Sequence, residues 1–337
     1  MLATAEKTQV TVEPETMKSI VQHRYGSSGV LAVEDVAMPE IGDDGVLVQV
    51  RASSVNAVDW HMIRGRPYFA RLTSGLRRPK SPRPGTDLAG VVVAVGKDVT
   101  EFRPGDEVFG ARNGAYAEYV AGRLRNFVSK PANLTFEQAA AIPVAAITAL
   151  QALRDKGGIQ AGQRVLILGA GGGVGSFAVQ LAKAFGATVT AATTPDNLEM
   201  VRSLGADAVV DYTRENALRS GRQYDLIIDV GGYAPAGDLR RAVTSSGTVV
   251  LVGAGKASSL GIVVQILGAK IRSRLGGPPM IFFMAKINRD DMLLLADLAA
   301  AGKIAPAIDR VYPVRETDEA VSYVETGHAH GKVVITV

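Results

Sequence analysis

The feature that most constrains the fold is a glycine-rich segment at residues 164–186, RVLILGAGGGVGSFAVQLAKAFG. Four glycines fall within the five positions 169–173, between an apolar run and a helical pattern. Glycine loses more backbone freedom on folding than any other residue, so this density needs a physical reason. The spacing matches the dinucleotide-binding pattern G-x-G-x-x-G, with Ala170, Gly172 and Gly175 at its three positions.

The positions of this loop have separate roles in that interpretation. A missing side chain at Gly172 would let the backbone approach a cofactor diphosphate, and Gly175 would let the helix pack closely on the strand. The helix is predicted to begin near Gly173 or Val174 and would direct its N–H groups and positive dipole end at the diphosphate. A tight glycine turn without a ligand is the alternative. The strand before the loop and the helix after it favour the cofactor.

The pattern on either side of this loop predicts an α/β fold. From Arg164 onward, strand and helix patterns alternate, which is typical of a parallel sheet covered by helices. Residues 17–130 differ, because β-rich runs at 45–55 and 90–96 are bounded by glycine and proline. These runs predict a meandering or barrel-like β domain ahead of a doubly wound parallel sheet.

A helical region joins the two patterns. Thr135 and Gln138 have the spacing of a capping box, so a helix is predicted to begin after Thr135. Pro143 should interrupt or kink that helix, because proline lacks the backbone donor that a helix interior needs.

Composition narrows the class of protein. At 337 residues and 47% hydrophobic content, the chain is long for one domain, and two are expected. The lack of cysteine excludes disulfides, thiol nucleophiles and thiolate metal sites, and is compatible with a cytoplasmic location. A net charge of +4 favours anionic ligands but is too small to predict nucleic-acid binding. No apolar run predicts a membrane span, and residues 1–16 predict a flexible extension rather than a secretory signal.

The residues after the second strand of the βα unit bear on the choice of dinucleotide. In NAD-type folds, an acidic residue about 20 positions after the glycines holds the ribose hydroxyls. Thr193 and Thr194 stand there, and these neutral donors would not repel a 2′-phosphate. Asp196 could reach the ribose or face solvent, and Tyr212, with Arg214 nearby, could lie over the adenosine end. The threonines favour NADPH, and Asp196 leaves NADH open.

Six segments in a fixed order are more specific than the glycine pattern alone. They are VNAVDWHMIRG (55–65), PGTDLAGVVVAVG (84–96), FRPGDEVFG (102–110), GAGGGVGSFAVQLAKAFGA (169–187), LGADAVVDY (204–212) and GHAHGKVVITV (327–337). Together they resemble the zinc-independent, zeta-crystallin-like quinone oxidoreductase branch of the medium-chain dehydrogenase/reductase superfamily. This resemblance implies a GroES-like catalytic domain of residues 17–140 and 284–337, with a Rossmann cofactor domain of residues 141–283 between its parts. It also implies a ligand cleft between the domains and a homodimer.

The resemblance bears on metals as well. Zinc-dependent relatives hold zinc with Cys and His, and the equivalent positions here are Asn56 and Thr86, whose side chains are poor zinc ligands. His328 and His330 have no acidic or thiol partner beside them in the sequence. No metal is therefore expected. Without a Lewis acid, the hydride of NADPH must go to an acceptor that is already electrophilic at carbon.

Three residues are candidates for catalysis through the resemblance. Asn56 and Asp59 match an Asn-x-x-Asp pattern, in which Asn56 would lie near the nicotinamide and donate to the acceptor oxygen or the cofactor ribose. A buried structural amide is the alternative for Asn56. We expect Asp59 to orient Asn56 or to pair with Arg64 rather than to act as a base. Tyr68 matches a pocket-lining tyrosine and could supply a phenol donor, or could serve packing alone.

Other residues are expected to contact the cofactor. Thr148 resembles a family threonine close to the nicotinamide. Val230 and Gly253 end two parallel strands on the cofactor side, where backbone groups can meet the nicotinamide. Lys332 matches a family Gly-Lys pair and could reach the cofactor, although a solvated lysine is the state we expect.

The chain also departs from the family pattern after its second Rossmann strand. Asp196 stands where relatives often have an Arg, and Asn197 occupies the neighbouring position of a family Lys. Asn197 is kept among the expected cofactor contacts, but these departures weaken the preference for NADPH.

Two segments have two interpretations each. Residues 64–84 hold six Arg and one Lys and could form an electropositive rim, but a long solvated loop is the expectation. Phe282 and Phe283, in the segment 276–286, are expected in a linker between domains, either as an apolar wall of the acceptor pocket or in the core.

The leading function is therefore NADPH-dependent, zinc-free reduction of a quinone or of the activated C=C of an α,β-unsaturated carbonyl. The alternative is a weakly catalytic, NADPH-binding protein of zeta-crystallin type with a structural or nucleic-acid role, in which the Arg-rich segment would be the contact surface. A Rossmann methyltransferase would need an acidic residue at the end of the second strand. The neutral residues Thr193 and Thr194 stand there, so the sequence argues against this function.

Overall fold

Two large sheets organise the chain. The structure is a computed structural model that describes residues 15–27, 29–68, 71–232, 234–253 and 277–337, the side chain of Thr73 excepted. Residues 1–14 of the predicted extension, residues 1–16, lie outside the described residues. Thr16 is already the first residue of a strand.

The first sheet has seven strands and is largely antiparallel. An antiparallel pair, β1 (Thr16–Gln22) and β2 (Leu31–Ala37), precedes it. The elements that follow are β3 (Gly45–Val55), α1 (Ala57–Arg64), α2 (Arg71–Ser74), β4 (Asp87–Val95), β5 (Glu107–Ala111), β6 (Tyr119–Arg123) and β7 (Phe127–Ser129). Strands β3, β4, β5 and β7 lie side by side in that order, and β6 also pairs with β3. The β-rich domain predicted for residues 17–130 is confirmed.

Strand β3 is the centre of this sheet, and its β-branched residues explain why. Val46, Val48 and Val50 are buried together with Val92 of β4 and Val108 of β5. Alternate residues of a strand point to the same face, so these valines bury one face of the sheet, and β-branched side chains suit such a half-buried surface.

Two helices connect the first sheet to the second. Helix α3 (Phe136–Ala140) begins after Thr135, whose Oγ1 accepts a 3.2 Å hydrogen bond from the Gln138 N–H, while Gln138 Oε1 accepts from Thr135 N at 3.0 Å. This is the predicted capping box. Helix α4 (Pro143–Gln151) has Pro143 in its first turn, so the proline ends one helix and begins the next, as the sequence predicts.

The second sheet has six strands, all parallel. Its elements are β8 (Arg164–Leu168), α5 (Gly173–Ala184), β9 (Thr188–Thr193), α6 (Leu198–Ser203), β10 (Ala208–Asp211), β11 (Tyr224–Val230), α7 (Ala236–Ala242), β12 (Val243–Val252) and β13 (Met280–Phe283). The strand order is β10-β9-β8-β11-β12-β13. Counted from β8, this is the 3-2-1-4-5-6 order of a dinucleotide-binding fold, which confirms the predicted doubly wound sheet.

Strand β13 corrects the expectation of a linker at residues 276–286. Met280, Ile281, Phe282 and Phe283 pair in parallel with β12, so this stretch is the sixth strand of the sheet. Phe283 is 9% exposed and lies in the main core, and Phe282 packs on a second buried cluster. The core interpretation therefore holds for both phenylalanines.

The C-terminal part returns to the first sheet. It contains α8 (Arg289–Ala300), β14 (Ile308–Pro313), α9 (Thr317–Thr326) and β15 (Lys332–Thr336). Strand β15 pairs with β3 on one side and with β14 on the other. Strands β3–β7 of the N-terminal part and strands β14 and β15 of the C-terminal part thus build one sheet, while the domain limits at residues 140–141 and 283–284 stay predictions. None of the helices in the described residues has the length and hydropathy of a membrane span.

Candidate cofactor and active site

The glycine loop lies at the carboxyl edge of the parallel sheet. Strand β8 ends at Leu168, Gly169 turns the chain with a φ of +75°, and α5 begins at Gly173 with Gly172 as its N-cap. A positive φ of this kind favours glycine. The first N–H groups of a helix lack intrahelical partners, so the loop offers backbone donors at the place where such sheets bind dinucleotides.

The loop glycines are required for different reasons. A Cβ on Gly175 would lie 2.1 Å from the Gly169 carbonyl oxygen, so glycine is needed for close packing of helix and strand. A Cβ on Gly172 would have its nearest neighbour, the same oxygen, at 3.7 Å, and the φ of Gly172 is an ordinary −87°. The fold itself would therefore tolerate a side chain at Gly172. A bound diphosphate supplies the reason for glycine there, so the loop fits the cofactor.

The turn after β9 forms the neighbouring wall. Thr193 is 2% exposed, and a Cβ on Gly171 would come within 2.6 Å of Thr193 Oγ1 and the Asn197 amide. Asn197 is buried, and its Nδ2 donates to Thr194 Oγ1 at 3.0 Å. Asp196 is exposed. The structure thus groups Thr193, Thr194 and Asn197 beside the glycine loop.

The C-terminal segment at residues 330–332 crosses the same loop. The Gly331 N–H donates to the Gly171 carbonyl oxygen at 2.8 Å, and Gly331 forms a bridge with Gly172. Lys332 passes the start of α5, since a Cβ on Gly173 would lie 3.1 Å from Lys332 Cδ. The first sheet is therefore tied directly to the cofactor loop of the second.

Lys332 is buried, which corrects the expectation of a solvated lysine. Its side chain is 2% exposed, and its Nζ donates to Asn56 Oδ1 at 2.6 Å. Burial lowers the pKa of Lys332, while the nearby carboxylates of Asp87 and Asp59 raise it. The sequence could not show this, because the partners lie 245 to 276 positions away along the chain, at residues 87 and 56.

Asp87 completes the cluster and was not among the residues predicted from the sequence. It is fully buried, and its Oδ2 accepts from Asn56 Nδ2 at 2.8 Å and from Ser54 Oγ at 2.9 Å. Its Oδ1 accepts from the Val144 N–H at 3.0 Å, and its Oδ2 lies 3.8 Å from Lys332 Nζ. Burial raises the pKa of Asp87, and the Lys332 ammonium opposes that rise. The signal in the sequence for this residue is an acidic side chain in PGTD directly before the apolar run LAGVVVAV.

The amide of Asn56 lies between these two charged groups. An ammonium can only donate and a carboxylate can only accept, so Oδ1 faces Lys332 and Nδ2 faces Asp87. One Nδ2 hydrogen remains after the bond to Asp87. Among the described residues the second Nδ2 hydrogen has no partner, so the buried amide of Asn56 keeps one donor there.

Asp59 bonds the backbone of Asn56, and the pairing with Arg64 expected as the alternative is not formed. Its Oδ2 accepts from the Asn56 backbone N–H at 2.7 Å, and its Oδ1 accepts from Thr86 Oγ1 at 3.2 Å. Arg64 pairs instead with Glu325 of α9 at 2.5 Å. Burial raises the pKa of Asp59 to about 6, the bond from Asn56 opposes this, and the charge of Asp87 adds to it.

The other expected site residues are less closely grouped. Tyr68 is 59% exposed and lies near the guanidinium groups of Arg66 and Arg71. Tyr212 is 54% exposed, directly after β10. Of the remaining three, Thr148 lies within α4, Val230 is the last residue of β11, and Gly253 follows β12.

The Arg-rich segment at residues 64–84 is not a uniform solvated loop. It contains α2 and the buried Arg64, while Arg77, Arg78 and Lys80 are exposed. Residues 69 and 70 lie outside the described part.

Within the described part of the chain, no group of three or more His, Cys, Asp or Glu side chains is arranged to hold a metal ion.

Family models match both parts of the chain. The model of the alcohol dehydrogenase GroES-like domain matches residues 42–132, and that of the zinc-binding dehydrogenases matches residues 204–335. The first match covers strands of the seven-stranded sheet. The second covers the later part of the parallel sheet and the return to the first sheet.

Similar proteins extend over almost the whole chain. The 2-methylene-furan-3-one reductase of Solanum lycopersicum is 37% identical, covering 99% of this chain and 82% of the relative. This chain belongs to the medium-chain dehydrogenase/reductase superfamily. The chloroplastic NADPH-dependent alkenal/one oxidoreductase of Arabidopsis thaliana is 36% identical, covering 96% of this chain and 80% of that one. The solved quinone oxidoreductase of Coxiella burnetii has a TM-score of 0.83 at 30% identity, covering 96% of this chain and 99% of that one.

These relatives confirm the quinone oxidoreductase branch predicted from the sequence. They also confirm the architecture of a GroES-like domain with a Rossmann cofactor domain. This medium-chain dehydrogenase/reductase is an oxidoreductase that uses a nicotinamide cofactor.

Proposed function

We propose that the protein binds NADPH at the glycine loop and transfers its hydride to a quinone or to the activated C=C of an α,β-unsaturated carbonyl. One observation carries the proposal. The fold leaves space for a side chain at Gly172, and this space lies beside a buried cluster of Lys332, Asn56 and Asp87. The names of the tomato, Arabidopsis and Coxiella relatives support enone and quinone acceptors.

The cofactor supplies the hydride, and the chain supplies its binding site. The N–H groups at the start of α5, near Gly172 and Gly173, would hold the diphosphate. Thr193 and Thr194 would hold the adenosine ribose as neutral donors, which supports NADPH. Val230 and Gly253, at the carboxyl ends of two neighbouring strands, would face the nicotinamide with backbone groups.

Asn56 is the proposed donor to the acceptor oxygen. The charges of Lys332 and Asp87 fix the orientation of its amide, so the free Nδ2 hydrogen is held without reorganisation when negative charge develops on the acceptor. Asp59 positions the backbone of Asn56. Tyr68 and Thr148 remain proposed contacts of the acceptor and the nicotinamide.

The same cluster disfavours zinc on chemical grounds. The amide oxygen is the atom of Asn56 that could bind a metal, and it accepts from the Lys332 ammonium at 2.6 Å. A cation in that position repels a second cation. We therefore propose that hydride transfer here needs no zinc, and that a water or a hydroxyl supplies the proton to the reduced acceptor.

Rates of NADPH and NADH oxidation with a panel of quinones, enones and simple alcohols test this function. We expect turnover with quinones or enones that a chelator leaves unchanged. Turnover with alcohols alone, lost on chelation, would contradict it. NADPH binding without turnover, together with steeply salt-dependent binding to RNA, would favour the zeta-crystallin-type alternative.

Assembly and location are proposals as well. A homodimer is proposed from the family resemblance, and mass measurement in solution would test it. The cytoplasmic location expected from the sequence also remains a proposal, since the Arabidopsis relative is named as chloroplastic.

A further inference from the structure

The segment at residues 330–332 follows the glycine loop from one end of the cofactor site to the other. Lys332 lies at the catalytic amide of Asn56, and Gly331 is bonded to the loop residue Gly171. His330 lies at the opposite end, where its Nδ1 is 2.7 Å from Asn197 Oδ1 in the turn after β9. His330 therefore stands at the adenosine end of the site, although it belongs to the other sheet's C-terminal segment.

A chain of hydrogen bonds begins at this histidine. Asn197 Nδ2 donates to Thr194 Oγ1, so its Oδ1 faces the ring and Nδ1 is the nitrogen that donates. Within the described residues, Nε2 of His330 makes no hydrogen bond. The Thr194 hydroxyl accepts from Asn197, which leaves its own hydrogen for a ligand. Two polar atoms, Nε2 of His330 and the hydroxyl of Thr194, are thus left for a group in this turn.

A ribose 2′-phosphate bound in this turn needs a positive charge beside it, and the residues of the turn itself do not supply one. A ribose 2′-phosphate carries about two negative charges, which favour a cationic partner. Asp196 is an exposed acid, and Asn197 is neutral. Arg214, the cation expected nearby, has an 87% exposed side chain and lies 3.6 Å from Asp211. His330 can carry a positive charge and is held in place by Asn197.

We infer that His330 is the residue that gives this protein its preference for the phosphorylated cofactor. An imidazolium ring donates through both nitrogens, so Nδ1–H bonds Asn197 Oδ1 while Nε2–H donates to the 2′-phosphate. The inference rests on the proposed function, because it presumes that the glycine loop binds a nicotinamide dinucleotide. Asn197 is a positioning residue in this account. It fixes the ring on one side and the Thr194 hydroxyl on the other.

Calorimetric titration of the full chain with NADP⁺ and with NAD⁺ tests the inference by binding alone. The variants are His330→Ala and His330→Gln, and the control is His328→Ala, two residues away and exposed. We expect His330→Ala to weaken NADP⁺ binding at least about tenfold, which is about 1.4 kcal/mol, and NAD⁺ binding by less than about threefold. His330→Gln keeps a neutral donor for Asn197 and should retain NAD⁺ affinity with the same loss for NADP⁺. His328→Ala should bind both cofactors as the unaltered protein does.

The outcomes separate the inference from the proposed function. An unaltered ratio of NADP⁺ to NAD⁺ affinity in His330→Gln, or a preference of the unaltered protein for NAD⁺, would overturn the role of His330 alone. An unaltered protein that binds neither dinucleotide would overturn the proposed function, and the inference with it. If His330→Ala does not fold, judged by circular dichroism, His330→Gln decides the question.

Discussion

Asp59 provides a quantitative test of the buried cluster. Its carboxylate accepts from the Asn56 N–H and from Thr86 Oγ1, and its side chain is almost completely removed from water. In Asp59→Asn, the amide oxygen can accept from the Asn56 N–H, and the amide nitrogen can donate to the Thr86 hydroxyl. The substitution therefore removes a buried charge and keeps these two contacts. The Tyr116 hydroxyl, which also bonds the Asp59 carboxyl, can donate instead to the Ser54 carbonyl oxygen. We expect the substitution to stabilise the protein at neutral pH.

The magnitude follows from the pKa of Asp59, which burial raises from 3.8 to about 6. Each pKa unit corresponds to about 1.4 kcal/mol, so the folded protein loses about 3 kcal/mol when Asp59 ionises at a pH above both values. The raised pKa means that the folded state binds the proton more tightly than the unfolded state. The penalty is thus absent below about pH 4, grows as the pH rises through about 6, and is constant above that.

Denaturant unfolding of both proteins at two pH values tests this reasoning. Asp59→Asn should raise the free energy of unfolding by about 3 kcal/mol at about pH 8 and by about half as much at about pH 5. Asp196→Asn changes the same charge at an exposed position and should show no such pH dependence. A stabilisation equal at the two pH values, or a loss of stability at about pH 8, would refute the account of the Asp59 carboxyl.

Three further predictions concern the cofactor site. Gly172→Val should fold as the unaltered protein does, but its NADP⁺ affinity in calorimetry should fall by at least about a hundredfold, because the valine occupies the space of the diphosphate. Gly175→Ala should instead lower the melting temperature, since its Cβ would lie 2.1 Å from a carbonyl oxygen. Retained affinity in Gly172→Val would contradict the backbone approach. Lys332→Met should lower the free energy of unfolding by about 3 kcal/mol, because it leaves the Asp87 carboxylate buried without its cation. In denaturant unfolding, adding Asp87→Asn to this variant should recover part of that loss. Losses that simply add in the double variant would contradict the coupling of the two side chains. Asp196→Arg should improve NADP⁺ affinity relative to NAD⁺ by about tenfold if the position reaches the 2′-phosphate, and unchanged selectivity would remove Asp196 from the site.

Local signals in the sequence were sufficient for much of the fold. The capping box at Thr135 and Gln138, the break at Pro143 and the central strand at residues 45–55 all depend on residues within a few positions of one another. The glycine loop was predictable for the same reason, since its turn, its helix start and its close packing are encoded in adjacent residues.

Features that depend on distant residues were not predictable in this way. Strand β13 is short and follows residues 254–276, which lie outside the described part, and its partner β12 decides that it is a strand. Lys332 is a charged residue in a strand pattern, so its burial becomes intelligible only once Asp87 and Asn56 are placed beside it. The contact of His330 with Asn197 joins two sheets, and neither residue carries a signal for the other in the sequence.

The account depends most directly on hydride transfer from a nicotinamide cofactor to an electrophilic carbon in a site that holds no zinc. NADPH carrying deuterium at both C4 positions, incubated with the metal-depleted protein and an enone, measures that step by mass spectrometry and NMR of the product. We predict one deuterium at the β-carbon of the saturated ketone. A reduced product without deuterium, or a reaction that proceeds only after zinc is added, would contradict the account.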